Sequence, residues 1–271
     1  MNEKYLKAEI EYLNTDITLR NVCKNYKIDR HMFSNYLKSK NINTRKKISS
    51  NDTLFEIINN EEKAYWLGFL YADGSITHNI KSKRYVIEVS LSIKDILHLE
   101  KFKKFLNCNN QIKIRNKTNS CRILIYSKKM CEDLIKLGCI PKKSLILKFP
   151  NETQVPKHLI NHFIRGYFDG DGCISFKTNS NSPKIDLLGT LDFVKTLNTI
   201  YKDSIISKDK RHLNNTYSLR FKIKDGVNFL YDIYNNSNIY LDRKFDKYNF
   251  LLNCRSGKKF LELLESKNGE D

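Results

Sequence analysis

The chain has 271 residues, enough for one large domain or two smaller ones, and 40% of them are hydrophobic, so a sizeable core is available. A formal net charge of +18, from 48 Lys and Arg against 30 Asp and Glu, points to a polyanionic partner. No apolar run approaches the roughly 20 residues of a spanning helix, no signal segment is visible, and the 7 cysteines contain no Cys-x-x-Cys pair. A membrane span, secretion and a zinc site are therefore not expected, and an intracellular, reducing compartment is.

Residues 1–45 read as a small helical unit. A first helix is expected from about Glu3 to Leu13. Thr18 caps a second, with Leu19, Val22, Cys23 and Tyr26 on one face, and Asp29 caps a third, with Met32, Phe33, Tyr36 and Leu37 inside. This is helix-turn-helix spacing and resembles the DNA-binding heads of resolvases. Arg30, His31, Ser34, Asn35 and Lys38 would form the exposed face of the third helix, and a helical cap that only packs would show the same pattern. Residues 46–59, entered through the basic run Arg45-Lys46-Lys47, read as a linker, either along phosphates or simply solvated.

Next comes an apolar stretch, Trp66-Leu67-Gly68-Phe69-Leu70-Tyr71-Ala72-Asp73-Gly74. Asn60 caps the helix that carries it, Glu61 and Glu62 fill the first turn, and Gly74 stops it. Two strands follow. In the second, Ile87, Val89, Leu91 and Ile93 alternate with Glu88, Ser90 and Ser92, which means one buried and one wet face. A helix (95–106), strands near 111–117 and 121–127, and a helix ending at Gly138 complete the half.

The plan then repeats. Pro156 starts a helix carrying Ile164-Arg165-Gly166-Tyr167-Phe168-Asp169-Gly170-Asp171-Gly172. Strands are expected at 173–177, 184–188, 205–209 and 217–224, and helices at 191–201 and 226–235. Gly68 and Ala72 in one copy, and Gly166 and Gly170 in the other, stand one helical turn apart. Such faces let two backbones approach closely. Pairing the helices sets Asp73 beside Asp171 at their C-terminal ends, the wrong end of the dipole for an acid. Two such acids repel unless a cation sits between them, and carboxylates with nearby main-chain carbonyls make a hard-oxygen site suited to Mg2+.

With both copies in view, residues 60–255 resemble the single-chain, two-motif LAGLIDADG homing endonucleases, encoded by mobile genes. The resemblance implies an α+β fold: two pseudosymmetric αββαββα halves, 60–150 and 151–255, forming a DNA-binding saddle. A small all-α helix-turn-helix domain precedes them, and a helix and polar tail, 256–271, follows. It also implies a monomer that binds a long, imperfectly palindromic DNA duplex. Asp73 and Asp171 would hold Mg2+, or Mn2+ in its stead, helped by the carbonyls of Ala72 and Gly170, and both strands would be cut. A polar group near each metal is implied too. Lys94, opening the helix after the alternating strand, is the candidate, though a surface cation reads equally well there. The second half has no Lys at that place, so Lys222 or Lys224 substitutes or the two cuts are unequal.

Basic strand faces supply the DNA contacts: Lys113, Arg115 and Lys117 in the first half, Arg220, Lys222 and Lys224 in the second. Asp169 reads as structural rather than metal-bound, and Arg165 as facing solvent or DNA. Arg243 and Lys244 read as phosphate contacts or as a plain charged turn. The alternatives on the same fold are a catalytically inactive DNA-binding regulator, which would lose the motif acids, and an RNA maturase.

Overall fold

A computed structural model describes residues 3–15, 17–42, 44, 50–176, 183–202, 204–209, 216–254, 257–258 and 261–262. The basic run Arg45-Lys46-Lys47 and most of the tail 256–271 lie outside the described residues. The chain divides into two compact units, Met1–Ser50 with Asn107–Gln111, and Asn51–Leu106 with Ile112–Asp271.

In the smaller unit, helices α1 (Glu3–Asn14), α2 (Leu19–Tyr26) and α3 (Arg30–Ser39) enclose Ala8, Tyr12, Val22, Cys23, Phe33 and Leu37. Thr18 accepts from the Asn21 N–H and Asp29 from the Met32 N–H, so both expected caps form. Lys27 takes the left-handed conformation that turns α2 into α3. Met32, expected inside, is 63% exposed, because the buried stripe of this short helix is only Phe33 and Leu37 wide. Arg30, His31, Asn35 and Lys38 are exposed, and Ser34 is half-buried.

The larger unit holds two copies of one plan. The first runs α4 (Glu61–Asp73), β1 (Gly74–Asn79), β2 (Arg84–Ser92), α5 (Ile96–Phe105), β3 (Lys113–Arg115), β4 (Ser120–Ile125) and α6 (Lys128–Lys136). The second runs α7 (Ile160–Asp171), β5 (Gly172–Phe176), β6 (Pro183–Gly189), α8 (Leu191–Ile200), β7 (Ile205–Lys208), β8 (Tyr217–Phe221) and α9 (Ile223–Tyr234), and α10 (Asp242–Asn253) follows. Each copy makes one antiparallel four-stranded sheet, ordered β1-β2-β4-β3 and β5-β6-β8-β7. The fold is α+β with two equivalent halves. Part of the expected linker belongs to this unit, since Phe55 and Ile58 are buried and Phe55 packs on Phe105.

Helices α4 and α7 form the central contact of the unit. Ala64 through Tyr71 are all buried, so α4 has no polar face, as expected of a helix enclosed on every side. Small residues make the approach possible. A Cβ on Gly68 would overlap the Phe163 carbonyl, and one on Gly166 the Tyr65 carbonyl. Gly74 and Gly172 end the helices in extended conformation, φ −76° and −87°, not left-handed. They are small for space: a Cβ would strike the Leu70 carbonyl and the Phe168 ring.

In β2, Ile87, Val89 and Leu91 face the core as expected. Two strand expectations fail. β3 ends at Arg115, and Lys117 lies in a 3-10 turn, Asn116–Thr118. β8 ends at Phe221, Lys222 precedes α9, and Lys224 lies in its first turn. The alternation of apolar and basic residues runs on past the point where the chain leaves the sheet.

Candidate active site

Because α4 and α7 pack through their small residues, their C-terminal ends come together. A Cβ placed on Gly170 would overlap the Ala72 Cβ and lie 3.2 Å from Asp73 Oδ2, so the Asp73 carboxylate rests against the opposite helix. Burial pushes the Asp73 carboxyl up to about 6, with the negative charge of Asp171 adding to the rise. Lys244, Lys143 and Arg243 pull in the other direction. Asp171 is raised as well, by burial first, against the pull of Lys143, Lys244 and a hydrogen bond from Tyr167.

The cations held at the helix ends are Lys143, in the 3-10 turn Lys143–Leu145 after α6, and Lys244, in the first turn of α10. Lys143 Nζ donates to the Ala72 carbonyl at 3.1 Å and to the Gly74 carbonyl. Lys244 Nζ donates to the carbonyls of Phe168 at 2.5 Å, Asp169 at 2.7 Å and Gly170 at 3.4 Å. Each ammonium caps the end of one motif helix, where unpaired carbonyls and the dipole favour a cation. Lys244 is only 2% exposed, and burial lowers its ammonium to about 8 even though Asp169, Asp73 and Asp171 favour the charge.

Several site expectations change. Lys94 is exposed, in the 3-10 turn Ile93–Asp95, and the cations that pull most on the two aspartates are Lys143, Lys244 and, for Asp73, Arg243. Lys222 and Lys224 are likewise not among them. The carbonyls of Ala72 and Gly170, expected as metal donors, both accept from a lysine. Arg165 faces neither solvent nor DNA. It is 1% exposed, donates to Glu61 at 2.6 Å and binds the carbonyls of Ile233 and Ile239. Arg243 is spent on Asp95, Nε to Oδ1 at 2.9 Å. Asp169 is structural: it is buried and accepts from the Tyr65 and Tyr234 hydroxyls at 2.7 and 2.5 Å and from the Leu241 N–H at 2.7 Å.

Sequence reasoning missed Lys143, and it read Lys244 as a phosphate contact or part of a plain charged turn, not as the cation on a motif helix. The signal was positional: each lysine comes after the last helix of its own half.

The donor set suits a hard cation. Among the described residues no cluster of three or more His, Cys, Asp and Glu is gathered around a metal position. Two carboxylates that resist their joint charge, beside main-chain oxygens, fit an ion that keeps waters and takes further oxygens from a phosphate.

The wet faces of the sheets carry the other expected residues. Lys113 pairs across the ladder with Arg122, and Arg115 with Ser120. Arg122 donates to Glu88 at 3.0 Å and Arg115 lies 3.9 Å from it, so one carboxylate orients two guanidiniums. In the second sheet Arg220 is exposed and faces Asp186, which pairs with Lys184 at 3.2 Å. Arg122 and Lys184 were missed because each was read only along its own strand.

No family profile and no curated protein matches the chain. Solved structures do. Meganuclease I-SmaMI bound to uncleaveable DNA is 14% identical, covers 76% of this chain and 97% of its own, and has a TM-score of 0.48. LAGLIDADG meganuclease I-AabMI bound to uncleaved DNA is 17% identical over 77% and 93%, with a TM-score of 0.48. LAGLIDADG homing endonuclease I-GzeII in complex with its DNA target is 14% identical over 78% and 92%, with a TM-score of 0.49. Among the described residues no helix is long and apolar enough to cross a membrane. At such identities and TM-scores the similarity to LAGLIDADG homing endonucleases says nothing of what this chain binds or cuts, and that rests on its own residues.

Proposed function

We propose that the chain is a divalent-metal-dependent DNA endonuclease of the LAGLIDADG type, cutting both strands of a long, imperfectly palindromic duplex as a single chain. One observation carries the reading: Asp73 and Asp171 end two helices locked together by glycines, and Lys143 and Lys244 flank them. Acids at helix C-termini, buried against each other, cost stability. A cation shared with phosphate oxygens would offset that cost.

Mg2+, or Mn2+ in its place, would be held by Asp73 and Asp171, and once bound would activate water and relieve charge on the phosphate. The carbonyls of Ala72 and Gly170 remain candidates through their second lone pairs. Lys143 and Lys244 hold the helix ends fixed and keep positive charge beside the reacting group. Lys113, Arg115 and Arg122 on one sheet and Arg220 on the other are offered to base edges and phosphates, with Glu88 orienting Arg115 and Arg122. Lys117, Lys222 and Lys224 would contact phosphate from turns and helix starts. The exposed face of α3, with Arg30, His31, Asn35 and Lys38, would read a flanking stretch of the same duplex.

The test is cleavage of randomised duplexes with Mg2+ beside Asp73→Asn and Asp171→Asn. Breaks at one long site, lost in both variants, support the reading. Tight duplex binding with no cutting in Mg2+ or Mn2+ would mean an inactive regulator. Preference for structured RNA would mean a maturase.

A further inference from the structure

We propose that Tyr167 is a positioning residue for Asp171, and that its hydroxyl makes the two metal-holding aspartates unequal. The inference rests on the reading of Asp73 and Asp171 as that pair.

Tyr167 and Asp171 stand one turn apart on α7, so their side chains share a face. The Tyr167 ring is buried and stacks on Phe193, centroids 4.1 Å apart and planes 23° apart. That stacking fixes where the hydroxyl sits. It binds the Leu188 carbonyl at 3.0 Å and is a hydrogen-bond partner of the Asp171 carboxylate. Gly189 keeps the space open, since a Cβ there would lie 3.2 Å from the Tyr167 oxygen.

The first half lacks this device. The place of Tyr167 in α4 is taken by Phe69, which has no hydroxyl and packs edge-on against His98 at 4.7 Å. Asp73 is left to burial, to its partner's charge and to the lysines. One carboxylate is therefore tethered by a side-chain hydroxyl and the other has no such tether from its own helix.

Mn2+ binding to the full-length chain, followed by the paramagnetic resonance of the free ion, tests this without any cleavage. Tyr167→Phe keeps the stacked ring and removes only the hydroxyl. It is compared in the Asp73→Asn background, where Asp171 alone remains, and in the Asp171→Asn background. The expected result is about a tenfold loss of Mn2+ affinity in the first and none in the second, the usual effect of removing a ligand's hydrogen-bond partner. Equal loss in both backgrounds means a general packing defect and overturns the proposal, as does no loss in either. Failure of the unaltered chain to bind Mn2+ would remove the metal reading itself, and this inference with it.

Discussion

The two halves of the larger unit reach one geometry with different chemistry at equivalent places. Helix position 71 is Tyr in α4 and its counterpart 169 is Asp in α7. Each reaches into the segment that carries the half's lysine: Tyr71 donates to the Leu137 carbonyl, and Asp169 accepts from the Leu241 N–H. Across the pair, Tyr65 donates to Asp169, whereas its counterpart Phe163 packs edge-on against Tyr71 at 4.9 Å. His98 in α5 matches Phe193 in α8. One contact is thus made polar on one side of the pseudosymmetry and aromatic on the other. What both halves keep is the glycine approach, the terminal Asp and a lysine on the helix end. The constant features serve the site, and the variable ones serve its support.

The glycine approach is the feature both halves cannot lose, so breaking it should cost most. In Gly166→Val the new Cβ would overlap the Tyr65 carbonyl and lie 2.8 Å from the Phe69 nitrogen, both backbone atoms that cannot step aside. Overpacking typically costs about 1–3 kcal/mol, and a clash with backbone on a central helix pair should exceed that. Urea denaturation should find the variant largely unfolded. A variant as stable as the parent would mean the helices are not held this closely.

The His98–Phe193 difference makes a pH prediction. Burial holds the His98 imidazole down to about 3, so it stays neutral when folded. Tyr65 gives its proton to Asp169, so His98 Nε2 donates to the Tyr65 oxygen. The unfolded chain binds a proton near 6.5 and the folded one does not, so this group's contribution falls as pH drops from about 6.5 toward 3. Asp73, raised to about 6, works in the opposite sense, since its folded form binds the proton first. The difference between the parent and His98→Phe cancels the carboxylates. At pH 4 the variant should have gained on the order of 3 kcal/mol relative to the parent, compared with pH 7. A pH-independent difference would mean that His98 ionises in place.

Position 71/169 gives a smaller contrast. Asp169→Asn replaces a pure acceptor of three donors with a group that must also donate, and should cost about 2 kcal/mol. Tyr71→Phe leaves one carbonyl unpaired and should cost about 1 kcal/mol. If thermal or chemical unfolding reversed that order, the polar side of the pseudosymmetry would not be the more tightly held.

How much of this was legible follows from the range of each interaction. The α4–α7 pairing was readable because small residues one turn apart declare a close backbone approach whatever lies opposite. The caps at Thr18, Asp29 and Asn60 were readable because the side chain and the N–H it binds are three residues apart. Lys244 was not, because what makes it a site residue is three carbonyls on a helix distant in sequence. Arg165 was misread for the same reason: its carboxylate partner, Glu61, belongs to the other motif helix. Lys222 and Lys224 were misread because period-two alternation does not mark the residue at which a strand turns into a helix.

The smallest expected effect separates the two lysine assignments. Lys94 follows an alternating strand, yet it is exposed, and its main-chain N–H donates to Ser92 Oγ at 3.4 Å. Lys143 is held against the Ala72 and Gly74 carbonyls, within the field of both aspartates. Lys94→Met should therefore leave strand cleavage within about twofold of the parent, a change worth less than 0.5 kcal/mol, as for most surface substitutions. Lys143→Met should slow it far more at unchanged DNA affinity. Equal losses from both would return Lys94 to the site and require the turn 93–95 to move toward α4 when DNA binds.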